Sequence, residues 1–274
     1  QLLVRLKKTM FWVFNFILKK AHILESIYLK IFLNYKMKIL AIILGRKNSK
    51  RLKRKHHLLI NRKKMIQYTL DLLNNNVKKF ENIIVSTDDN KIIELTKKYP
   101  SFITLQRPKN LSLDKTRSYE VIKYVYKWYK KKFNEVDGIF VFQPTSPLRT
   151  QSTVNQLLKI FKKYKMRKSV VSASPISEHP EWMFSMQKDS IRPFINFKSF
   201  SKMSQKLKKL YRVNGLGYLI TSKDIIKEKT LVPKNSVSCI SYSPFEDIDI
   251  DTKNDLIKAR FYMNHLKKLN VNDK

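Results

Sequence analysis

The sequence is poor in cysteine, in glycine and in acidic side chains. Its single cysteine, Cys239, excludes an internal disulfide and any zinc site built from several cysteines. One unpaired cysteine is typical of a reducing compartment, so we expect a cytoplasmic protein. The 4 glycines are not arranged as Gly-x-x-x-x-Gly-Lys-Ser/Thr, which disfavours phosphoryl transfer by the nucleotide hydrolases that use this loop.

Acids are scarce beside the basic residues. Lys and Arg number 57 against 21 Asp and Glu, and the formal net charge is +36. Such a balance is typical of nucleic-acid or anionic-membrane binding, but the lysines are spread along nearly every segment as a solvated surface. We therefore expect no specific nucleic-acid partner. The alternative, a basic nucleic-acid-binding module, would require basic and aromatic residues on one face.

Long hydrophobic runs are also missing. The apolar run at 11–18 is too short to span a bilayer and lacks a small-residue cleavage site. Fold-like patterns begin at Lys38, so residues 1–36 are predicted to be an N-terminal extension outside the fold. The alternative is a basic amphipathic helix on a membrane surface, which is the only membrane contact we expect.

From residue 37 onward, strand and helix patterns alternate. This order predicts an α/β, Rossmann-like fold, in which a mostly parallel sheet carries helices on both faces. We expect one catalytic domain over 37–270, interrupted by a polar, proline-punctuated excursion at about 177–210. Strands are predicted at 38–44, 82–86, 102–105, 138–143, 169–174, 218–221 and 237–240, and helices at 64–74, 90–98, 116–132 and 252–269.

The most informative segment is an acidic run in this basic chain. Residues 246–252 read Glu-Asp-Ile-Asp-Ile-Asp-Thr. In a strand, Asp247, Asp249 and Asp251 share one face while the two isoleucines point into the core. Carboxylates held together in this way suit a hard divalent cation such as Mg²⁺. The alternative is a solvated acidic strand end.

A second candidate segment is the basic loop at 45–55, which follows the first strand. Ligands of parallel sheets bind beyond the carboxyl ends of the strands, and fixed positive charge with backbone N–H groups can cradle a triphosphate. The alternatives are a basic surface loop and a nucleic-acid patch. The residues of this loop that we expect to bind are Gly45, Arg46, Asn48, Ser49 and Lys50.

Seven short motifs follow one another at natural spacing over about residues 38 to 265. They are the loop at 42–56, Ser86-Thr87-Asp88, Arg107-Pro108-x-x-Leu111-x-x-Asp114, Gln143 to Arg149, Ser169-Val170-Val171-Ser172, Asn214-Gly215 and Asp249-Ile250-Asp251-Thr252. In this order they resemble the motifs of the CMP-sialic acid synthetases, the acylneuraminate cytidylyltransferases. The ordered set is far more specific than any one motif alone.

The resemblance implies transfer of CMP from CTP to the anomeric hydroxyl of a nine-carbon 2-keto acid sugar, with Mg²⁺ as cofactor and pyrophosphate as product. By position, it implies a catalytic set of Arg46, Lys50, Lys55, Gln143, Asp249 and Asp251, of which Asp249 and Asp251 bind the metal. The implied nucleotide-binding set is Gly45, Arg46, Asn48, Ser49, Lys50, His56, Ser86, Asp88 and Arg107. The implied sugar-binding set is Gln143, Gln205, Arg212 and Asn214.

Four positions depart from the family pattern. Gly45 replaces an alanine, which should be harmless or slightly loosening, and Lys53 replaces a proline, which removes a rigid φ. His56 replaces an asparagine and cannot present an amide's paired donor and acceptor. Ser204 stands where many members have an arginine. These departures leave open a decayed, inactive copy, and the motifs also leave open a cytidylyltransferase for legionaminate, pseudaminate or the eight-carbon 3-deoxy-octulosonate.

The excursion at 177–210 predicts a homodimer contact. It carries too many large apolar side chains for a free solvent loop, and such patches usually mark interfaces. The resemblance also implies pairing through this region, with sugar-binding residues lent across the contact. The alternative is that these side chains fold back on their own domain. They are Trp182, Met183, Phe184, Ile191, Phe194, Ile195, Phe197, Phe200 and Met203.

Overall fold

The computed structural model describes residue 20, residues 36–49 and residues 51–272 of the chain. The chain divides into two units, Gln1–Met37 and Lys38–Lys274, and the architecture below is that of the second. Nearly all of the predicted N-terminal extension lies outside the described residues, and so does Lys50. In the described part of the chain, no helix is long and apolar enough to cross a membrane.

Among the described residues, a sheet of seven strands forms the centre of this unit. Its order is β11-β7-β10-β6-β1-β4-β5, and every pairing is parallel except those of β10. The predicted mostly parallel sheet is therefore confirmed. In chain order the strands are β1 (Ile39–Gly45), β2 (Leu59–Ile60), β3 (Lys63–Lys64), β4 (Asn82–Thr87), β5 (Phe102–Gln106), β6 (Gly138–Phe142), β7 (Val170–Pro175), β8 (Phe184–Gln187), β9 (Ser190–Pro193), β10 (Tyr211–Thr221) and β11 (Val237–Ile240).

Helices cover both faces of the sheet. On one face, α3 packs its buried stripe, including Ile122 and Val125, against Leu40 of β1. On the other, Phe161 of α4 lies against Gly138. Each fully buried aliphatic side chain in these layers contributes roughly 1.5–3 kcal/mol. The helices are α1 (Met65–Asn74), α2 (Asn90–Thr96), α3 (Ser118–Lys132), α4 (Gln151–Lys163), α5 (Ser222–Lys227) and α6 (Lys253–Asn272).

Helix α4 is absent from the sequence prediction, as is the short helix α5, although α1, α2, α3 and α6 are confirmed. Its signals are present: Thr150 caps the first turn by accepting from the backbone N–H of Thr153. Val154, Leu157 and Phe161 then follow at helical spacing and are buried. The helix lies in the crossover between β6 and β7, which are separated in the sheet by antiparallel β10.

The excursion at 177–210 is more regular than the sequence predicts. It contains an antiparallel hairpin of β8 and β9 and three short 3₁₀ helices. Several of its large apolar side chains are exposed within the chain, since Phe184, Phe194, Phe197 and Met203 are each more than half exposed. The alternative in which these side chains fold back on their own domain is therefore wrong for these four.

The predicted strand at 246–252 is wrong. Glu246 and Asp247 lie in a turn, and the residues up to Asp251 pair with no strand among those described. The side chains explain this, because Glu246 bonds to the start of α4 and Asp247 pairs with Arg212. Ile250 is fully buried in a small core cluster, as predicted for the apolar side of this run. The capping box that opens α6 is confirmed by reciprocal bonds between Thr252 and Asp255.

Candidate functional site

The carboxyl ends of β1, β4, β5 and β6 meet at one edge of the sheet. The register places Gly45 opposite Thr87, and Thr87 opposite Gln106. The residues that follow these strands therefore emerge at the same edge, where ligands of open α/β sheets bind. They are Arg46, Asp88, Arg107 and Gln143.

A cavity of about 370 Å³ opens at this edge, and we call it the basic cavity. Its volume lies in the range of small-molecule sites. Four cationic and three acidic side chains line it, and the acids come from the acidic run and from the loop before α3. It is lined by Leu44, Arg46, Arg51, Lys55, His56, Arg107, Asp114, Thr116, Ser118, Val121, Gln143, Thr145, Asp249 and Asp251.

Ion pairs fix the cations of the loop after β1. Lys55 Nζ lies 2.8 Å from Asp251 Oδ1, and Arg51 Nη2 lies 2.6 Å from Asp251 Oδ2. Arg46 Nη1 lies 3.3 Å from Asp114 Oδ1. Because two cations share the Asp251 carboxylate, the loop keeps positive charge toward the cavity and suits an anionic ligand.

Buried polar atoms without partners cluster at the inner end of the basic cavity. Within the described residues, His56 Nδ1, Ser86 Oγ and Arg107 Nε accept or donate no hydrogen bond. Arg107 Nη2 donates to the carbonyl of Ser86 at 2.9 Å, so these groups adjoin. An unsatisfied buried group costs about 1–3 kcal/mol, and a ligand with matching polar atoms would recover it.

His56 is a neutral group at this position. Burial, reinforced by the positive charge of Lys55, lowers the pKa of His56 to about 3. Burial also lowers the pKa of Arg107, while neighbouring Asp88 opposes that effect. At neutral pH the inner cavity therefore presents an uncharged imidazole beside a guanidinium, which can recognise a polar heterocycle.

Asp249 lies beside the bend of β10. The bend is at Gly215, whose φ is +75°, and a Cβ added there would lie 3.0 Å from Gln143 Oε1 and 3.7 Å from Asp249 Oδ2. Asp249 Oδ1 is buried and accepts no hydrogen bond from any residue that the structure describes. One carboxylate oxygen of Asp249 thus lacks a protein partner at the wall of the cavity.

A second cavity, of about 610 Å³, lies on the other side of the acidic run. It combines charged and aromatic groups, and α6 supplies much of its wall. Asp249 lines both cavities, whereas Asp251 lines only the basic one and Asp247 only the second. The lining residues are Arg212, Pro244, Asp247, Ile248, Asp249, Asp255, Ile257, Lys258, Phe261 and Tyr262.

Comparison with known proteins decides the family. Residues 40–182 match the family model described as cytidylyltransferase. A protein of Legionella pneumophila named CMP-N,N'-diacetyllegionaminic acid synthase is 32% identical over 222 residues, which are 79% of this chain and 92% of that protein. The chain belongs to the cytidylyltransferase family.

Further relatives and solved structures agree with this membership. The cytidylyltransferase is 28% identical to a pseudaminic acid cytidylyltransferase of Campylobacter jejuni, over 84% of this chain and 98% of that one. It is 26% identical to an N-acylneuraminate cytidylyltransferase of Escherichia coli, over 80% of this chain and 50% of the relative. A structure of CMP:2-keto-3-deoxy-manno-octonic acid synthetase complexed with CTP shares the fold, with a TM-score of 0.60 and 17% identity over 83% of this chain and 99% of that one.

The cytidylyltransferase brings together most of its predicted catalytic residues. The basic cavity contains seven of the predicted site residues: Arg46, Lys55, His56, Arg107, Gln143, Asp249 and Asp251. Ser86 is buried directly behind them, and Asp88 accepts a hydrogen bond from the backbone N–H of Lys47. Asn48 is exposed and Ser49 half-buried on the loop after β1.

Three predicted sugar-binding residues lie apart from the basic cavity. Arg212 lines the second cavity. Gln205 is exposed in the 3₁₀ helix Ser204–Lys206 of the excursion. Asn214 is buried, and its side chain donates to Ser174 Oγ at 2.7 Å and accepts from the N–H of Leu216 at 3.2 Å. The amide of Asn214 is thus engaged inside the sheet.

Gly45 is closely packed at the end of β1, and the expectation that its replacement of alanine is harmless or slightly loosening stays a prediction. A Cβ at this position would lie 2.9 Å from Ile92 Cδ1 and 3.4 Å from Ile66 Cδ1. The two isoleucines, from α2 and α1, close over the glycine at the end of β1. An alanine here would need only the end of the flexible Ile92 side chain to shift.

Two buried charged residues near the site escape the sequence prediction. Arg149 ends the Gln143 to Arg149 motif, and its Nη2 donates to the carbonyl of Gln143 at 2.9 Å. Glu246 opens the acidic run but bonds to α4. Their positions in the motifs are visible in the sequence, whereas their burial follows only from the fold.

Proposed function

We propose that this cytidylyltransferase transfers CMP from CTP to the anomeric hydroxyl of a nine-carbon 2-keto acid sugar and releases pyrophosphate. The observation that carries the proposal is the position of Asp249 at the wall shared by the two cavities. One cavity suits a triphosphate and the other suits an acidic sugar with apolar substituents. The reacting atoms of two substrates would then meet at Asp249.

CTP occupies the basic cavity in this proposal. Arg46, Arg51 and Lys55 face the triphosphate, together with Asn48 and Ser49 of the same loop, and Lys50, which lies outside the described residues, stays a prediction from the sequence. The unpartnered atoms of His56 and Arg107 face the nucleoside, and Ser86 supports them from behind. Asp88 holds the loop through the N–H of Lys47. Support comes from the sign of the charge, since the cavity wall carries more cations than acids.

Asp249 and Asp251 are the residues that would hold Mg²⁺, and at Asp251 the ion would replace Lys55 or Arg51, which pair with its two oxygens. Mg²⁺ uses one or two protein carboxylates together with substrate phosphates and water, and Asp249 retains a buried oxygen without a hydrogen-bond partner. The described residues contain no group of three or more His, Cys, Asp or Glu arranged for a metal, which suits a site completed by substrate. Once bound, the ion would neutralise negative charge on the phosphate oxygens.

The chain's own residues then position the displacement. The anomeric oxygen bonds to the α-phosphorus, the bond from that phosphorus to the β-phosphate oxygen breaks, and pyrophosphate leaves. Arg46, Arg51 and Lys55 stabilise the charge that grows on the leaving group. Asp249, at the shared wall, takes the hydroxyl proton, and Gln143, whose Oε1 lies beside the Gly215 bend, orients the sugar.

The sugar acid occupies the second cavity. Arg212 and Lys258 offer positive charge to its carboxylate, and Phe261 with Ile257 offers apolar surface to its acyl groups. Asn214 holds the β10 bend through its bonds to Ser174 and Leu216, and its contact with the sugar stays a prediction. Gln205 would reach a sugar only across a dimer contact, because it is exposed in the excursion.

The finer proposal is an acylneuraminate as the preferred sugar. The relatives are named for legionaminate, pseudaminate and acylneuraminate, so the test is a panel of these three acids and 3-deoxy-octulosonate. Pyrophosphate release is measured with CTP, Mg²⁺ and each acid. Release that depends on CTP and on a nine-carbon acid supports the function, and the highest kcat/KM identifies the sugar. Equal turnover of ATP or GTP contradicts the assignment of CTP as the nucleotide. If no acid supports pyrophosphate release, a decayed, inactive copy is favoured.

The homodimer and the cytoplasmic location also stay predictions. The exposed apolar side chains of β8 and β9 support the dimer, because contiguous exposed apolar groups of this size are typical of interfaces. In a dimer, each excursion would deliver Gln205 toward the partner's second cavity.

A further inference from the structure

Glu246 is the first acid of the acidic run, yet it has a different environment from the aspartates that follow. It is 6% exposed and is not among the described residues that line either cavity. Its Oε1 accepts from the backbone N–H of Thr150 at 2.7 Å, and Thr153 Oγ1 lies 2.7 Å from each carboxylate oxygen. Ser241 Oγ donates to Oε2 at 3.3 Å. The carboxylate is therefore bound to the first turn of α4, where a negative charge is favoured.

A buried cation stands next to this anchor. Arg149 is 5% exposed, and its guanidinium donates to the carbonyls of Leu216 and of Gln143, the latter at 2.9 Å. Burial lowers the pKa of Arg149 to about 10, and the negative charge of Glu246 opposes that effect more than that of Asp249 does. The negative charge of Glu246 thus partly offsets the positive charge of Arg149 near Thr150. Arg149 in turn connects this region to the loop of Gln143 through its hydrogen bond to the Gln143 carbonyl.

The anchor is one of several contacts that flank Asp249, together with the pair of Asp247 and Arg212. Glu246 holds the chain three positions before Asp249, and the N–H of Ile250 donates to the carbonyl of Thr145 at 2.8 Å one position after it. Because neither a helix nor a strand holds this segment, these contacts and the ion pairs of Asp247 and Asp251 set where the aspartates lie.

We propose that Glu246 is a positioning residue, which holds Asp249 and Asp251 at the shared wall by binding α4. The inference rests on the proposed function, since it assigns Glu246 to the orientation of the metal-binding carboxylates. Groups that orient metal ligands typically contribute 10–100-fold to metal affinity or activity, so loss of this anchor should be measurable.

The test replaces Glu246 with glutamine, which keeps the shape but removes the charge that faces Arg149. Mn²⁺ is titrated into protein with CTP, and the free-ion EPR signal reports the bound fraction without any turnover. We expect Glu246→Gln to weaken Mn²⁺ binding by about tenfold. In steady-state assays at saturating metal, kcat should fall while KM for CTP stays within about twofold, because the cations of the basic cavity are unchanged. Glu94→Gln, at an exposed acid of α2, is the matched control for charge.

Thr153→Val provides a second variant, because it removes one partner of Glu246 and keeps the carboxylate. Thr153→Val should also weaken Mn²⁺ binding, but less than Glu246→Gln does. If Glu246→Gln fails to fold, Thr153→Val is the variant that tests the inference. Folded variants with lower thermal stability but wild-type Mn²⁺ affinity would show that Glu246 only stabilises α4, and would overturn the inference. In that case the wild-type protein would still release pyrophosphate. If the proposed function itself is wrong, the wild-type protein neither binds Mn²⁺ with CTP nor turns over, so the two failures can be distinguished.

Discussion

Gly215 gives the sharpest test of the site, because its substitution acts on backbone and side chains at once. The residue has a φ of +75°, and the register of β10 against β7 shifts between Val213 and Tyr218 around it. Only glycine adopts this conformation at no cost. An alanine Cβ would lie 3.0 Å from Gln143 Oε1 and 3.7 Å from Asp249 Oδ2, so Gln143 would have to move by a few tenths of an ångström.

The expected effects of Gly215→Ala can be estimated from these contacts. A left-handed backbone costs an L-residue about 1–2 kcal/mol, which sets the loss in the free energy of unfolding. Since a displacement of 1 Å at a reacting group can cost about 10²-fold, a smaller shift of Gln143 should lower kcat/KM by about tenfold. KM for CTP should change less than kcat, because the cations of the basic cavity are not displaced.

Gly217→Ala is the matched control in the same strand. Its Cβ would lie 2.7 Å from Phe140 Cε2 and 2.8 Å from Leu157 Cδ1, in the core and away from the cavities. Overpacking of this kind costs about 1–3 kcal/mol. Urea unfolding and pyrophosphate release are measured for both variants at a temperature where both are folded. If Gly215→Ala keeps wild-type kcat/KM, or if Gly217→Ala loses as much, the Gly215 bend does not position the reacting groups.

Three further predictions test other parts of the site. Asp251→Asn should abolish CTP-dependent pyrophosphate release while changing the free energy of unfolding by less than about 1 kcal/mol, because its pairs with Lys55 and Arg51 are partly exposed; wild-type turnover would refute the metal role. The pKa of His56 is about 3 in the folded chain and 6.5 in the unfolded chain. Between pH 7 and pH 5 the unfolded chain therefore takes up a proton that the folded chain does not bind, and the free energy of unfolding should fall by about 2 kcal/mol. Urea titrations should show that His56→Asn removes this loss of stability at low pH, and assays with CTP should show that it lowers KM for CTP. If the free energy of unfolding has the same pH dependence in the variant, the imidazole lies in solvent. Phe194→Glu, at a side chain 73% exposed, should convert a dimer to monomers in sedimentation at moderate salt, and a wild-type monomer with full activity contradicts the dimer.

The sequence predicts the sheet well because its signals are local. The apolar run of β1 is buried from Ile39 to Ile43, and its burial on both faces is what a continuous hydrophobic pattern indicates. The same reasoning finds β4, β6 and the amphipathic helix α3. The antiparallel orientation of β10 could not be predicted in this way, because an apolar run does not indicate whether the strand is parallel or antiparallel to its neighbours.

The acidic run shows where local reasoning fails. Alternating Asp and Ile has the period of a strand, but a strand needs a neighbour to receive its backbone hydrogen bonds. Here the backbone of Ile250 bonds to Thr145, and that of Thr252 to Asp255 at the start of α6. The alternation still places Ile250 in the core and Asp249 at the cavity wall. The pattern does not predict burial along the whole run, because Ile248 is only partly buried and lines the second cavity, whereas Glu246 is buried.

A residue that belongs to a sequence motif does not necessarily face the site. Asn214 and Gly215 are adjacent in one motif, yet the amide of Asn214 is bonded inside the sheet while Gly215 lies against Gln143 and Asp249. The second cavity shows the converse, because Phe261 and Lys258 of α6 line it without belonging to any motif. Residues that bind the part of the substrate common to a family follow its motifs, whereas those that face a variable substituent need not. The specificity of this cytidylyltransferase among acidic sugars should therefore be sought on α6 and not in the seven motifs.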